Sequence, residues 1–189
     1  MADWDIIESV TEYETGWYTG GYDLVEQPDG SRKRYYWARL PPAVVVVAVD
    51  GDDVVFVRQY RPVIRDHCLE LVAGIVEPVD GREGAPPGTA PEAAYEAAAN
   101  RELEEETGYR AGDTRVLATF WVATGVLRHE RGIVYATDLT ADGDRRTDTN
   151  EFLETVHRDP RTILDPDTDR PGNDATLEGL LLADRADLL

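Results

Sequence analysis

The run Arg101-Glu102-Leu103-Glu104-Glu105-Glu106-Thr107-Gly108-Tyr109 constrains this chain more than any other stretch. An alanine-rich segment precedes it, and together they predict a helix that opens near Pro91 and closes at Gly108, a residue suited to the left-handed C-cap. On that helix Glu102, Glu105 and Glu106 stand at i, i+3 and i+4, so three carboxylates share one face. Each like-charged pair costs about 0.2–0.5 kcal/mol, and acids near a helix C-terminus also oppose the macrodipole. A solvated acidic face is the ordinary reading of such a run. Two neighbours favour another: Gly108 in the cap position, and Arg101 four residues before Glu105, where it can pair with that carboxylate. Clustered oxygen ligands on a rigid element are what hard divalent cations take, magnesium often through one or two carboxylates plus substrate phosphates. The pattern points to metal-assisted chemistry on a phosphate.

The run resembles the second half of the Nudix box, G-x5-E-x7-R-E-U-x-E-E-x-G-U with U a bulky apolar residue, at every fixed position. The first half departs from it. Gly74 matches the box glycine, and Asp80 stands where the box has its first glutamate. Twenty residues then separate Asp80 from Arg101, where the box has seven. The excess, Gly81 to about Ala93, reads GREGAPPGTAPEA and has the composition of a loop inserted into the box.

Composition fits one soluble unit, since 189 residues with 42% hydrophobic content can bury a sizeable core. The longest apolar run, Ala43 to Val49, is far short of a membrane span and reads as a buried strand. No secretory signal precedes the first charged residues, so no membrane partner is expected. Cys68 is the only cysteine; it fits a reducing cytoplasm and reads as a small buried hydrophobe. The net charge is −19, and Lys33 is the sole lysine. A surface so acidic repels nucleic acid. The charge is spread along the chain, a halophilic pattern resembling the cytoplasmic proteins of salt-loving microbes, although a mesophilic acidic enzyme from a GC-rich genome has the same composition.

From the N-terminus, an acidic and then aromatic stretch carries Trp4, Tyr13, Trp17 and Tyr18. Tyr22 to Gln27 and Arg32 to Arg39 predict a hairpin about Pro28-Asp29-Gly30-Ser31. Val44 to Val49 and Val54 to Tyr60 predict two buried strands. Further strands are expected over Thr114 to Val122 and Gly132 to Asp138, irregular acidic chain with one helical turn from Arg158 to Ala175, and a packed helix over Thr176 to Ala183. We divide the chain into an N-terminal aromatic segment and hairpin, 1–42, and a catalytic domain, 43–189.

Gln59-Tyr60-Arg61-Pro62 and Glu70-Leu71-Val72-Ala73-Gly74 resemble the Q-Y-R-P and E-L-P-A-G motifs of the ADP-ribose pyrophosphatase branch of Nudix enzymes, with Val72 in place of proline. The resemblance runs from about Trp17 to Ala183 and implies an α/β/α sandwich with a mixed central sheet and an N-terminal antiparallel hairpin. It also implies phosphate contact by Arg61 and metal ligation by the Ala73 carbonyl with Glu102, Glu105 and Glu106, Arg101 orienting Glu105. Asp148 to Glu154 resembles the stretch after a mobile loop that bears a catalytic carboxylate; Glu151 is the matched residue, as base or further ligand, and Asp148 its rival. Branch members commonly dimerise through the N-terminal region, so that an aromatic of one chain reaches the nucleotide of the other. Trp17 matches one such aromatic, with Tyr35 or Trp37 as the second. The implied reaction is Mg2+-dependent hydrolysis, with Mn2+ possible, of a nucleoside diphosphate linked to another group, ADP-ribose first. Other sugar nucleotides such as ADP-glucose or GDP-mannose, or a nucleotide sensor without catalysis, are the alternatives. No Ser/His/Asp or Cys/His set is evident, and His67 and His157 are isolated. Arg128, His129 and Arg131 bring rare positive charge to a loop, either to meet a phosphate or simply solvated.

Overall fold

The computed structural model describes residues 3–141, 152–165 and 172–189. Its elements in order are β1 (Asp5–Glu14), β2 (Thr19–Glu26), β3 (Arg32–Arg39), β4 (Ala43–Asp50), β5 (Asp53–Arg61), β6 (Asp66–Ile75), a 3-10 turn (Pro78–Asp80), α1 (Glu92–Thr107), β7 (Tyr109–Arg110), β8 (Asp113–Trp121), β9 (Leu127–Arg128), β10 (Glu130–Thr137), β11 (Thr140–Ala141), β12 (Leu153–Arg158), α2 (Pro160–Leu164) and α3 (Asp174–Arg185).

Six strands form the central sheet in the order β12-β5-β6-β4-β10-β8. β4 and β10 run parallel and the other neighbours antiparallel, so the sheet is mixed. The valine runs work because both faces of this sheet are covered. Alternate side chains of β4 and β5 divide between two layers: Val44, Val46, Val55 and Val57 pack under α1, while Val45, Val47, Val54 and Phe56 pack under α3. Each such side chain taken from water contributes about 1.5–3 kcal/mol. α1 presents Ala94, Ala98 and Ala99 to the sheet, small side chains that let it lie close. The larger Tyr95 is wholly buried and donates its hydroxyl to Glu130 at 2.9 Å; burial and that carboxylate push its ionisation up. The architecture is the expected α/β/α sandwich, with the acidic helix on one face and the C-terminal helix on the other. Among the described residues no helix is long and apolar enough to cross a membrane.

Ahead of the sandwich, β1, β2, β3 and the short β9 make a four-stranded sheet. The expected hairpin is β2–β3, and Asp29 shapes its turn by accepting from the Ser31 N–H and hydroxyl at 2.9 and 2.6 Å. β1 is a strand that the sequence did not announce. Nearly all of its residues are exposed, so no buried face imposed the alternation that marks a half-buried strand. β6 carries the Glu70 to Gly74 motif in a strand, Asp66 pairing with Arg61 and Leu71 with Phe56. α3 starts two residues before Thr176 because Asn173 caps it, its side-chain oxygen accepting the Thr176 N–H at 2.8 Å.

Asp23 stitches the N-terminal sheet together and onto the loop before β10. It is buried and accepts from Ser9 Oγ at 2.7 Å, from Trp37 Nε1 at 3.1 Å and from Arg128 Nη2. His129 is buried beside the Pro41 carbonyl, 2.6 Å from its Nδ1. Burial holds it below its usual ionisation, against the pull of that carbonyl. Arg131 bonds Glu178 at 3.1 Å. These three basic residues therefore join elements of the fold.

Candidate active site

β6 ends at Ala73-Gly74-Ile75 alongside α1, and the two elements touch where the acidic face begins. A Cβ added at Gly74 would fall 1.9 Å from Cδ and Oε1 of Glu102. Glycine is required because the Glu102 carboxylate fills that space, and any side chain at 74 would displace it. Glu102 and Glu106, one turn apart, are both buried. Glu105 is more open, its side chain 40% exposed. Gly108, at φ 78°, ends the helix and donates its N–H to the Glu104 carbonyl at 2.9 Å.

Arg101 is the organising cation. Nη1 donates to Glu102 Oε1 at 2.8 Å and to Glu105 Oε2 at 2.9 Å. Nη2 donates to the Ile75 carbonyl at 2.8 Å and, with Nε, forks onto Asp80 at 3.0 and 3.1 Å. Burial works against the guanidinium charge, yet bonding to Asp80 and the attraction of Glu102 outweigh it and raise its pKa. The pairing with Glu105 is as expected. The fork onto Asp80 explains how a shorter acid serves at that position: the 3-10 turn lifts it to Arg101, and its Oδ2 also accepts the Glu77 N–H at 2.8 Å. The inserted residues begin only after this anchor, so they leave the clamp intact.

The cluster sets Asp80, Glu102 and Glu105 around one arginine, with Glu106 one turn beyond Glu102 on the same helix, an excess of negative charge that suits a divalent cation. Among the described residues no three acidic, histidine or cysteine side chains already converge as a closed cage. A hard cation that keeps water and takes substrate phosphates needs no such cage. With no Cβ at Gly74, the Glu102 carboxylate lies against the end of β6, and a donor set of carboxylate oxygens is of the type such a cation takes, so the residues fit the group.

Other expected site residues are placed as follows. Arg61 donates through Nε and Nη2 to Glu70 Oε2 at 2.9 and 2.6 Å, and Gln59 Nε2 reaches the same oxygen at 3.2 Å. Glu70 is buried while the Arg61 side chain stays 42% exposed. Trp17 is 77% exposed at the β1–β2 turn. Trp37 is not beside it in the open: it is buried, bonded to Asp23, with the Arg128 guanidinium 4.2 Å from its ring centroid. Tyr35 packs against Trp4 at 5.8 Å between centroids. Glu151 and Asp148 lie outside the described residues.

The α/β/α sandwich thus carries, on one helix, an arginine-locked carboxylate cluster set against a glycine at a strand end. Residues 39–178 match the NUDIX domain, and the chain belongs to that family. It is 31% identical over 134 residues to the ADP-ribose pyrophosphatase of Bacillus subtilis (strain 168), a match covering 70% of this chain and 65% of that protein. It is 34% identical over 136 residues to the methanol dehydrogenase activator of Bacillus methanolicus, covering 71% and 66%. The chain thus spans just under two thirds of the length of either relative. A crystal structure of an ADP compounds hydrolase superposes with a TM-score of 0.79 at 24% identity, covering 98% of this chain and 95% of that one, a likeness of fold.

Proposed function

We propose that this protein hydrolyses the diphosphate bond of a nucleoside diphosphate linked to a second group, with ADP-ribose converted to AMP and ribose 5-phosphate as the leading reaction. The observation that carries the reading is the clamp of Arg101 on Asp80, Glu102 and Glu105, with Glu102 pressed against Gly74. The relative named ADP-ribose pyrophosphatase supports the substrate class. Magnesium, with manganese as the alternative, is assigned to Glu102, Glu105, Glu106 and the Ala73 carbonyl, where it would neutralise diphosphate charge and make water a better nucleophile. Arg101 fixes two of those carboxylates so that little reorganisation accompanies reaction. Arg61 is assigned to a substrate phosphate, for which planar guanidinium geometry is suited; Glu70 holds it in place meanwhile. Glu151 is assigned the proton of the attacking water, since the α1 carboxylates are committed to the cation. If so, Glu151→Gln lowers the maximal rate more than Asp148→Asn; the reverse ranking transfers the role to Asp148.

Incubation with a panel of ADP-ribose, ADP-glucose and GDP-mannose plus magnesium, with products separated, tests the reading in dilute and in molar salt. ADP-ribose should turn over fastest. A faster sugar nucleotide would rename the substrate, and no turnover in either salt would leave a nucleotide sensor.

We further infer a homodimer built through residues 1–42. Its support is the exposure of Ile6, Ile7 and Tyr13 on β1, an outer strand whose free edge invites pairing. Mass measurement in solution at several concentrations tests it. The halophilic reading rests on the charge of −19. The Debye length falls from about 10 Å at 0.1 M salt to about 3 Å at 1 M, so screening should raise the melting temperature in molar potassium chloride. An unchanged temperature would remove this reading.

A further inference from the structure

The inserted loop does more than connect the box halves. It forms one wall of a cavity of about 400 Å3 whose other walls are the β1–β2 turn and the end of β3. The loop is built rather than slack. The Gly88 carbonyl accepts the Glu130 N–H at 2.8 Å, and Thr89 bonds back to the Pro86 carbonyl through its N–H and hydroxyl at 3.1 and 2.8 Å. Eight residues after Asp80, which Arg101 grips, the chain is thus seated again at Gly88. Across the cavity Thr15 pins the opposite turn, its hydroxyl oxygen accepting the N–H groups of Trp17 and Tyr18 at 3.1 and 2.9 Å. Trp17 is held there with most of its indole in water.

Two arginines line this cavity, Arg39 from β3 and Arg82 from the inserted loop. The Nε of each is buried and, among the described residues, meets no hydrogen-bond partner. Neither makes an ion pair among those residues, in a chain with 38 acidic side chains against 19 lysines and arginines. Buried guanidinium donors without acceptors are costly, and acids are abundant here. The two that stand so lie on the same cavity, beside an exposed indole. Arg39 also lies over the Trp37 ring, 5.2 Å from its centroid, so its guanidinium is held in place with its Nε still lacking an acceptor among the described residues. Two such cations on one cavity are complementary to a phosphate, and the volume is in the range of small-molecule sites.

We propose that the inserted loop is a specificity element, and that Arg82 is a substrate-binding residue which, with Arg39, holds a phosphate of the nucleotide. The proposal rests on the reading of the protein as a hydrolase of nucleoside diphosphate derivatives, and gives the insertion its purpose. The test is calorimetric titration of AMP and of adenosine, without metal, into the full chain and into Arg82→Ala and Arg82→Lys, beside turnover of ADP-ribose with magnesium. Arg82→Ala should weaken AMP binding about 10- to 100-fold, with Arg82→Lys between it and the parent. Adenosine, which lacks the phosphate, should bind parent and variants alike, and the melting temperature should stay within a degree or so. AMP bound equally by parent and Arg82→Ala overturns the proposal, whether or not ADP-ribose is hydrolysed. AMP binding that depends on Arg82 in a protein that hydrolyses nothing keeps the pocket and discards the catalytic reading.

Discussion

Glu106→Gln is expected to lower turnover by orders of magnitude in a protein that melts no lower than its parent. Glu106 sits one turn beyond Glu102 on the buried side of α1, and both side chains are largely removed from solvent. The amide has the same shape as the carboxylate, so packing is retained. What is lost is one of the negative charges a divalent cation would balance, and an oxygen donor of the type it prefers. Removing a charge from a like-charged i, i+4 pair relieves repulsion of about 0.2–0.5 kcal/mol. Stability should therefore hold or rise slightly while the rate collapses. Calorimetric titration with magnesium separates this from a packing defect: the variant should bind the cation more weakly. Parent-like magnesium binding would remove Glu106 from the ligand set.

Much of this site was legible because its code is local. Glu102, Glu105, Glu106 and Arg101 lie within two helical turns, so spacing alone puts them on adjoining faces, and the Arg101–Glu105 pair has the expected geometry at 2.9 Å. The central sheet was legible for a related reason: its valine runs are buried on both faces, leaving little doubt about where they go. What was not legible depends on distant chain. The seat of Asp80 on Arg101 follows from a 3-10 turn that brings residues 21 apart together. The cavity beside Trp17 needs the N-terminal turn, β3 and the inserted loop to meet, and nothing in Gly81 to Ala93 says what it packs on. Trp37, which the resemblance offers beside Tyr35 as a second aromatic, has its ring in the interior near Arg39 and Arg128, with Asp23 satisfying its indole N–H; that placement depends on partners distant in sequence. β1 escaped notice because an exposed strand carries no hydrophobic period to read.

Arg101→Leu is the second large effect, and it should strike stability as well as rate. The guanidinium makes five hydrogen bonds, to Asp80 twice, to Glu102, to Glu105 and to the Ile75 carbonyl. Of its acidic partners, the Asp80 side chain is 4% exposed and that of Glu102 12%. Leucine fills part of the volume but leaves these two carboxylates buried without their cation. Breaking a buried pair on one side costs about 3–5 kcal/mol, a large share of the roughly 5–15 kcal/mol that holds a domain of this kind together. Chemical denaturation should register that loss directly. Arg101→Lys distinguishes charge from geometry. The ammonium retains the positive charge and so restores part of the stability, but a single point cannot fork between Asp80 on one side and Glu102 with Glu105 on the other. Its turnover should stay low even where it is folded, because the carboxylates facing the cation are no longer held. A lysine variant with parental turnover would mean that charge alone organises α1. A leucine variant destabilised by less than about 1 kcal/mol would mean that Asp80 and Glu102 relax into water at little cost, as exposed pairs do, and that the clamp on α1 is not what fixes its acidic face.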